Sequence, residues 1–142
     1  MKKEDFQYRF TTAKEPSEVF TYLLDPNNWW VGIFGETIEG KSNDIDDEFS
    51  FRAGGGAHYT KQKLVTLVVD QQITWLVTES NLTFLDDTHE WAGTKFGFAI
   101  ESKNNTITIT FTHEGLHPAI ECYDQCSNGW TQYMHRLQEH LS

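Results

Sequence analysis

Residues 106–141 read TITITFTHEGLHPAIECYDQCSNGWTQYMHRLQEHL, and the change of period inside this stretch decides the fold. Ile107, Ile109, Phe111 and His113 alternate with Thr106, Thr108, Thr110 and Thr112, the pattern of a strand with one face in a core and one in water. Past Gly115 and Pro118 the period changes. Ile120, Tyr123, Ser127, Trp130, Met134, Leu137 and Leu141 recur at spacings of three and four, while Asp124, Gln125, Asn128, Gln132, His135, Arg136 and Glu139 fill the opposite side. That spacing predicts one long amphipathic helix. A sheet whose last strand leads into such a helix can bury its apolar face beneath it.

Upstream, the chain reads as more of the same sheet. A first strand is expected at 6–11, where Phe6, Tyr8 and Phe10 alternate with Gln7 and Arg9. Pro16, followed by Ser17 and Glu18, opens a short helix carrying Val19, Phe20, Leu23 and Leu24, and Asp25-Pro26 stops it. A second short helix or turn is expected to hold Asn28, Trp29 and Trp30. Strands then follow at 36–40, 48–52, 57–69, 72–79, 94–102 and 106–113, with hairpin-length breaks at Asp70-Gln71 and Lys103-Asn104-Asn105. The fold class is therefore α+β: a curved antiparallel sheet gripping a long C-terminal helix, with two short helices between the first and second strands. At 142 residues the chain is long enough for one well-buried core, and residues 1–142 are expected to form a single domain.

One motif is misleading. His113-Glu114-Gly115-Leu116-His117 matches the H-E-x-x-H pattern of zinc proteases, but that pattern works only on a helix, where both imidazoles share one face. Here His113 continues a strand, Gly115 interrupts the motif, and Pro118 biases His117 away from helical dihedrals. No metal and no cofactor are expected. Cys122 and Cys126, four apart on the predicted helix, are expected as reduced, partly buried thiols rather than a disulfide.

The formal charge of -10, from 11 basic and 21 acidic residues without a basic cluster, argues against nucleic acid as a partner. The start MKKEDFQYRF has no apolar run behind its charges, and no segment approaches the ~20 apolar residues of a membrane span. A soluble, cytoplasmic protein is expected. The acidic loop Asp44-Asp46-Asp47-Glu48 lacks the glycine and terminal glutamate offset of a calcium loop, and Ala53-Gly54-Gly55-Gly56-Ala57 lacks the Lys-Ser/Thr and helix of a phosphate loop.

Four stretches carry a resemblance: Ile73-Thr74-Trp75-Leu76-Val77, Glu90-Trp91-Ala92-Gly93-Thr94, Phe111-Thr112-His113-Glu114-Gly115-Leu116, and Glu121-Cys122-Tyr123 leading to Cys126-Ser127-Asn128-Gly129-Trp130. With the order of elements, they make the chain resemble the START-like helix-grip superfamily, SRPBCC. More closely, it resembles the small bacterial branch related to the Hsp-90 ATPase activator. The resemblance implies cyclase-type chemistry as one alternative and, by analogy alone, contact with a chaperone.

The residues themselves carry the functional expectation. The helix stripe has a small-residue waist at Ser127, with Cys126 and Gly129 beside it, which leaves room for a cavity unless the sheet aromatics fill it. The expected function is binding of a small hydrophobic molecule against Trp75, Phe98, Phe111, Tyr123 and Trp130, with Ser127 at the waist and His113 as a polar group at the cavity, grouped with Tyr123 and Glu90. Two alternatives stand beside it. One is a cyclase- or hydrolase-type enzyme with His113 as general acid or base. The other is a co-chaperone-like module that binds protein through its acidic surface.

Overall fold

The computed structural model describes residues 5–141; residues 1–4 and 142, part of the single-domain expectation, lie outside the described residues. Strand β1 (Phe6–Thr12) leads through helix α1 (Pro16–Leu24) and a 3-10 turn (Pro26–Asn28) to β2 (Thr37–Gly40). Then come β3 (Glu48–Ala53), β4 (His58–Val68), β5 (Gln72–Leu82), β6 (Lys95–Lys103), β7 (Thr106–Glu114) and the long helix α2 (Tyr123–His140). The α+β helix-grip architecture is as expected. The seven strands form one antiparallel sheet in the order β1-β7-β6-β5-β4-β3-β2, a meander closed by β1 returning to the last strand. No helix among the described residues is long and apolar enough to cross a membrane.

The turns form where the side chains allow them. Asn104 and Asn105 both take positive φ (53° and 65°) between β6 and β7, as a two-residue hairpin turn requires and asparagine tolerates. Gly115, at φ 102°, ends β7, so the HEGLH segment is strand, turn and coil.

Curvature comes from β4 and β5, whose register shifts between Lys61 and Gln62 and again between Leu64 and Thr66. Such bulges bend a strand pair and increase its twist. Beyond the first bulge, Val77 leaves the β6 ladder and bonds instead to Thr94 and Gly93. The outer half of β5 thus follows the start of β4, where His58 pairs with Leu82, and the sheet opens at that end.

The core is more aromatic at its centre than the strand pattern suggests. Trp29 and Trp30 are buried, at 2% and 1% exposure, and drive into the space beneath the helix. Trp30 stacks on Phe51 at 3.7 Å between centroids and on Trp130 at 5.1 Å. Trp29 packs edge-on against Phe98 at 5.1 Å. Its indole N–H donates to the Leu23 carbonyl at 2.8 Å, which satisfies its polar edge in the interior.

The inward stripe of α2 is Cys126, Trp130, Tyr133, Met134 and Leu137, with Leu141 buried just past its end; Trp130, Met134, Leu137 and Leu141 are as expected, and Cys126 takes the place expected of Ser127. Ser127 is half-buried, its hydroxyl donating to the Asp124 carbonyl at 3.3 Å, and Ile120 precedes the helix. The cysteines also depart from expectation. Cys122, the N-cap residue, and Cys126 are joined in a disulfide, their Cα atoms 5.4 Å apart, a separation within the range a disulfide spans.

Candidate functional site

A cavity of about 250 Å³ lies at the open end of the sheet, under the N-terminal half of α2. Its floor and one wall come from Phe51, Ala53 and His58 at the β3–β4 connection, and its opposite wall from Cys126, Gly129, Trp130 and Tyr133 on α2. Trp30 and Phe34 close one side, and Phe84 and Trp91 the other. Phe34 and Phe84 are 45% and 41% exposed, an unusual state for two phenylalanines flanking one opening. No lining residue is Asp, Glu, Lys or Arg.

Local sequence holds each wall. The three glycines 54–56 form a single 3-10 turn between β3 and β4, so the glycine run is a strand connection. Phe34 sits in a loop organised by Glu36. The Glu36 carboxylate accepts from the backbone N–H of Gly32 at 2.7 Å and Phe34 at 2.8 Å, and from Ile33 at 3.1 Å. The Tyr133 hydroxyl donates to the same carboxylate at 2.5 Å. Partial burial alone would raise the Glu36 pKa, but these hydrogen bonds to the charged form outweigh it and hold the carboxyl below its ordinary value. Tyr133 shifts the other way, pushed up first by burial and then by its bond to Glu36. The Arg136 guanidinium donates to the Val31 carbonyl and ties the same loop to α2.

Glu36→Gln is expected to cost about 1–3 kcal/mol, the range for losing hydrogen bonds to a charged group. Amide exchange at residues 32–34 should quicken. Unchanged exchange there would mean that the carboxylate does not organise the loop.

The opposite side is held by a reciprocal clamp. Glu121, just before α2, accepts from the backbone N–H groups of Asp86 and Asp87 at 3.0 and 3.2 Å. Glu90 in turn accepts from the N–H groups of Glu121 and Cys122 at 3.0 and 2.8 Å. These bonds fix the loop bearing Phe84 and Trp91 to the start of the helix, and satisfy donors that a helix N-terminus leaves free. Glu90 is thereby a structural clamp, its carboxylate bonded to the backbone at the start of α2.

The expected site residues separate into two groups. Trp130 lines the cavity. Trp75, Phe98 and Phe111 are packed in the interior at 0%, 2% and 0% exposure. The Trp75 indole N–H donates to Ser42 Oγ at 2.9 Å, and Phe111 lies 4.5 Å from Trp130 between ring centroids. Tyr123 and Ser127 are half-buried on the first turns of α2 and do not line the cavity. The physical cause is the insertion of Trp29 and Trp30, which fill the middle of the grip and displace the open space toward β3 and β4.

His113 lies behind Trp130, fully buried. Its Nδ1 accepts from the Trp130 indole N–H at 3.0 Å, and its Nε2 meets Thr94 Oγ1 at 2.9 Å. Burial lowers its pKa to about 3, with a smaller push from His58. With both ring nitrogens taken and no cavity surface, His113 is placed as a brace for Trp130 rather than as an acid or base facing a ligand.

Of the lining residues only Trp130 was an expected site residue, and two of the others carry unpaired polar atoms. His58 Nε2 and Trp91 Nε1 are buried without a hydrogen-bond partner, and their rings meet edge-to-face at 4.8 Å. Trp91 also stacks on Trp130 at 5.7 Å. No periodicity marks either residue: His58 opens a strand and Trp91 lies in a turn-rich loop. The acidic loop, meanwhile, is internally bonded, with the Asp47 carboxylate accepting from Asn43 and Asp44 N–H groups at 3.0 Å.

Comparison with known proteins agrees with this architecture. The chain matches none of the curated proteins. Its fold is similar to the Aha1 dimer from Colwellia psychrerythraea, with a TM-score of 0.72 at 18% identity, covering 97% of this chain and 96% of that one. The AHSA1 protein from Silicibacter pomeroyi is similar with a TM-score of 0.67 at 17% identity, over 97% of both chains. Ginseng major latex-like protein 151 from Panax ginseng follows at 0.65 and 13% identity, covering 98% and 97%. Those likenesses concern the fold, but residues 13–142 also match the sequence profile of a family described as activator of Hsp90 ATPase homolog 1-like protein. The chain belongs to that family.

Proposed function

We propose that this protein binds a small lipophilic molecule in the cavity between the β3–β4 end of the sheet and α2. The observation that carries the reading is the cavity's composition: about 250 Å³ walled by Trp30, Phe51, Trp91 and Trp130, with no charged lining residue. Apolar cavities of roughly 150 Å³ hold a benzene ring, so the space suits one or two fused rings. The driving force is removal of apolar ligand surface from water, about 25 cal/mol per Å² before the costs of association. Trp130 is the central contact, and His113 acts through it by fixing the indole.

Gly129 supplies the test. It lies inside α2 and lines the cavity, and a Cβ added there meets nothing within 4 Å. Gly129→Ala should raise stability by about 0.5–1 kcal/mol, since glycine within a helix is costly. Gly129→Leu should remain at least as stable as the parent while its side chain occupies the cavity. In NMR titrations with naphthalene, the indole signals of Trp91 and Trp130 should shift and saturate in the parent and stay still in Gly129→Leu. A flat titration of the parent, or an unaltered response in Gly129→Leu, would remove the proposal.

A further inference from the structure

We infer that the ligand is an uncharged, planar aromatic molecule carrying a hydroxyl group, whose oxygen sits between His58 Nε2 and Trp91 Nε1 and bonds to both. This rests on the cavity-binding reading and narrows it to a chemical class.

The argument starts from satisfaction of buried polar atoms. Native interiors seldom leave such atoms unpaired. Here Trp29, Trp75 and Trp130 each donate an indole N–H to a partner at 2.8–3.0 Å, whereas Trp91, only 2% exposed, does not. The His58 Nε2 beside it has no partner either, and both residues line the one cavity. Gln62 Oε1 is also unpaired but does not line this cavity, so the two cavity-lining rings, 4.8 Å apart between centroids, are where a ligand's polar atom has unpaired partners to meet after a small shift of their side chains.

The donors and acceptors then select the group. An indole N–H only donates, so the ligand must present an acceptor. Burial lowers the His58 pKa to about 4, so near neutral pH its imidazole is uncharged and its Nε2 can carry a lone pair. A hydroxyl meets both needs through one oxygen, accepting from Trp91 and donating to His58. A carboxylate fits poorly, because the lining offers no cation and an unpaired buried charge is costly. An aromatic ligand follows from the lining, in which Trp30, Phe51, Trp91 and Trp130 present ring surfaces to the cavity.

The test compares three probes by calorimetry on the parent protein: 2-naphthol, 2-methylnaphthalene, which replaces the hydroxyl by a methyl of similar size, and naphthalene. 2-Naphthol should bind at least tenfold more tightly than 2-methylnaphthalene. It should also move the Trp91 indole N–H resonance downfield, while 2-methylnaphthalene does not. Trp91→Phe and His58→Phe should each abolish the preference while still binding 2-methylnaphthalene. Equal affinity for 2-naphthol and 2-methylnaphthalene in the parent would overturn the hydroxyl assignment and leave the apolar cavity standing. Failure of all three probes to bind would overturn both. Because the comparison is made on the parent, it decides the question even if a variant folds poorly.

Discussion

Trp130→Ala is expected to lower the free energy of unfolding by about 5 kcal/mol, the upper end of the range for deleting a buried aromatic side chain. Three effects combine at this residue. Its indole, 2% exposed, is removed from among Trp30, Phe96, Phe111 and Trp91. The hydrogen bond to His113 Nδ1 at 3.0 Å is lost, leaving a buried acceptor unpaired. The wall between cavity and core disappears, so the hole cannot close by a small shift of one neighbour. A domain with ordinary stability of about 5–15 kcal/mol would be brought near its folding threshold. Trp130→Phe separates the contributions, since it keeps much of the packing and loses the N–H; about 1–3 kcal/mol is expected. Urea denaturation of the three proteins at neutral pH measures both. A loss below 1 kcal/mol for the alanine variant would mean that Trp130 is not the centre of the core.

Lowering the pH from 7 to 5 is expected to remove about 2–4 kcal/mol of stability, through two histidines that fold in their neutral form, His113 fully buried and His58 half-buried at the cavity. Burial holds the folded pKa of His58 at about 4 and of His113 at about 3, against an ordinary 6.5. Between those values and 6.5 the unfolded chain binds protons that the folded chain refuses, so stability rises with pH across that window and is level above it. At pH 5 His113 accounts for about 2 kcal/mol and the half-buried His58 for at most about as much. Glu36 adds to the loss only at lower pH: its folded pKa is depressed, so its contribution is complete above the ordinary carboxylate range and fades as pH falls through the folded value. Urea melts at pH 7, 6 and 5 check the slope, and His58→Phe should remove up to about half of it. Stability independent of pH between 7 and 5 would show that neither imidazole is excluded from water in the folded state.

The strands were legible because their signal is local. Alternation through Ile107, Ile109, Phe111 and His113 needs no knowledge of what covers that face, and β7 spans Thr106–Glu114 against an expectation of 106–113. Asn104-Asn105 and Asp70 mark their hairpins by tolerating positive φ. The β5 strand runs on to Leu82, three residues past its expected end, because bulged pairing with β4 continues where the apolar alternation fades.

The contents of the grip were decided only by assembly. Trp29 and Trp30 follow two asparagines in a turn, where no period announces burial, and their insertion closed the space that the strand aromatics were expected to share with a ligand. On α2, Trp130, Met134 and Leu137 face the core as their spacing implied, but Cys126 rather than Ser127 is the small residue turned inward, on the face held against the sheet by the bonds of Trp130 to His113 and Tyr133 to Glu36. His58 and Trp91 lie 33 positions apart in the chain and meet because the bulged sheet curls toward the loop clamped by Glu90 and Glu121. Hydrophobic period is a property of neighbouring residues, so it specified the helix-grip architecture. The cavity depends on which side chains fill a shared volume and which polar atoms remain unpaired there, and those are settled only when distant segments pack together.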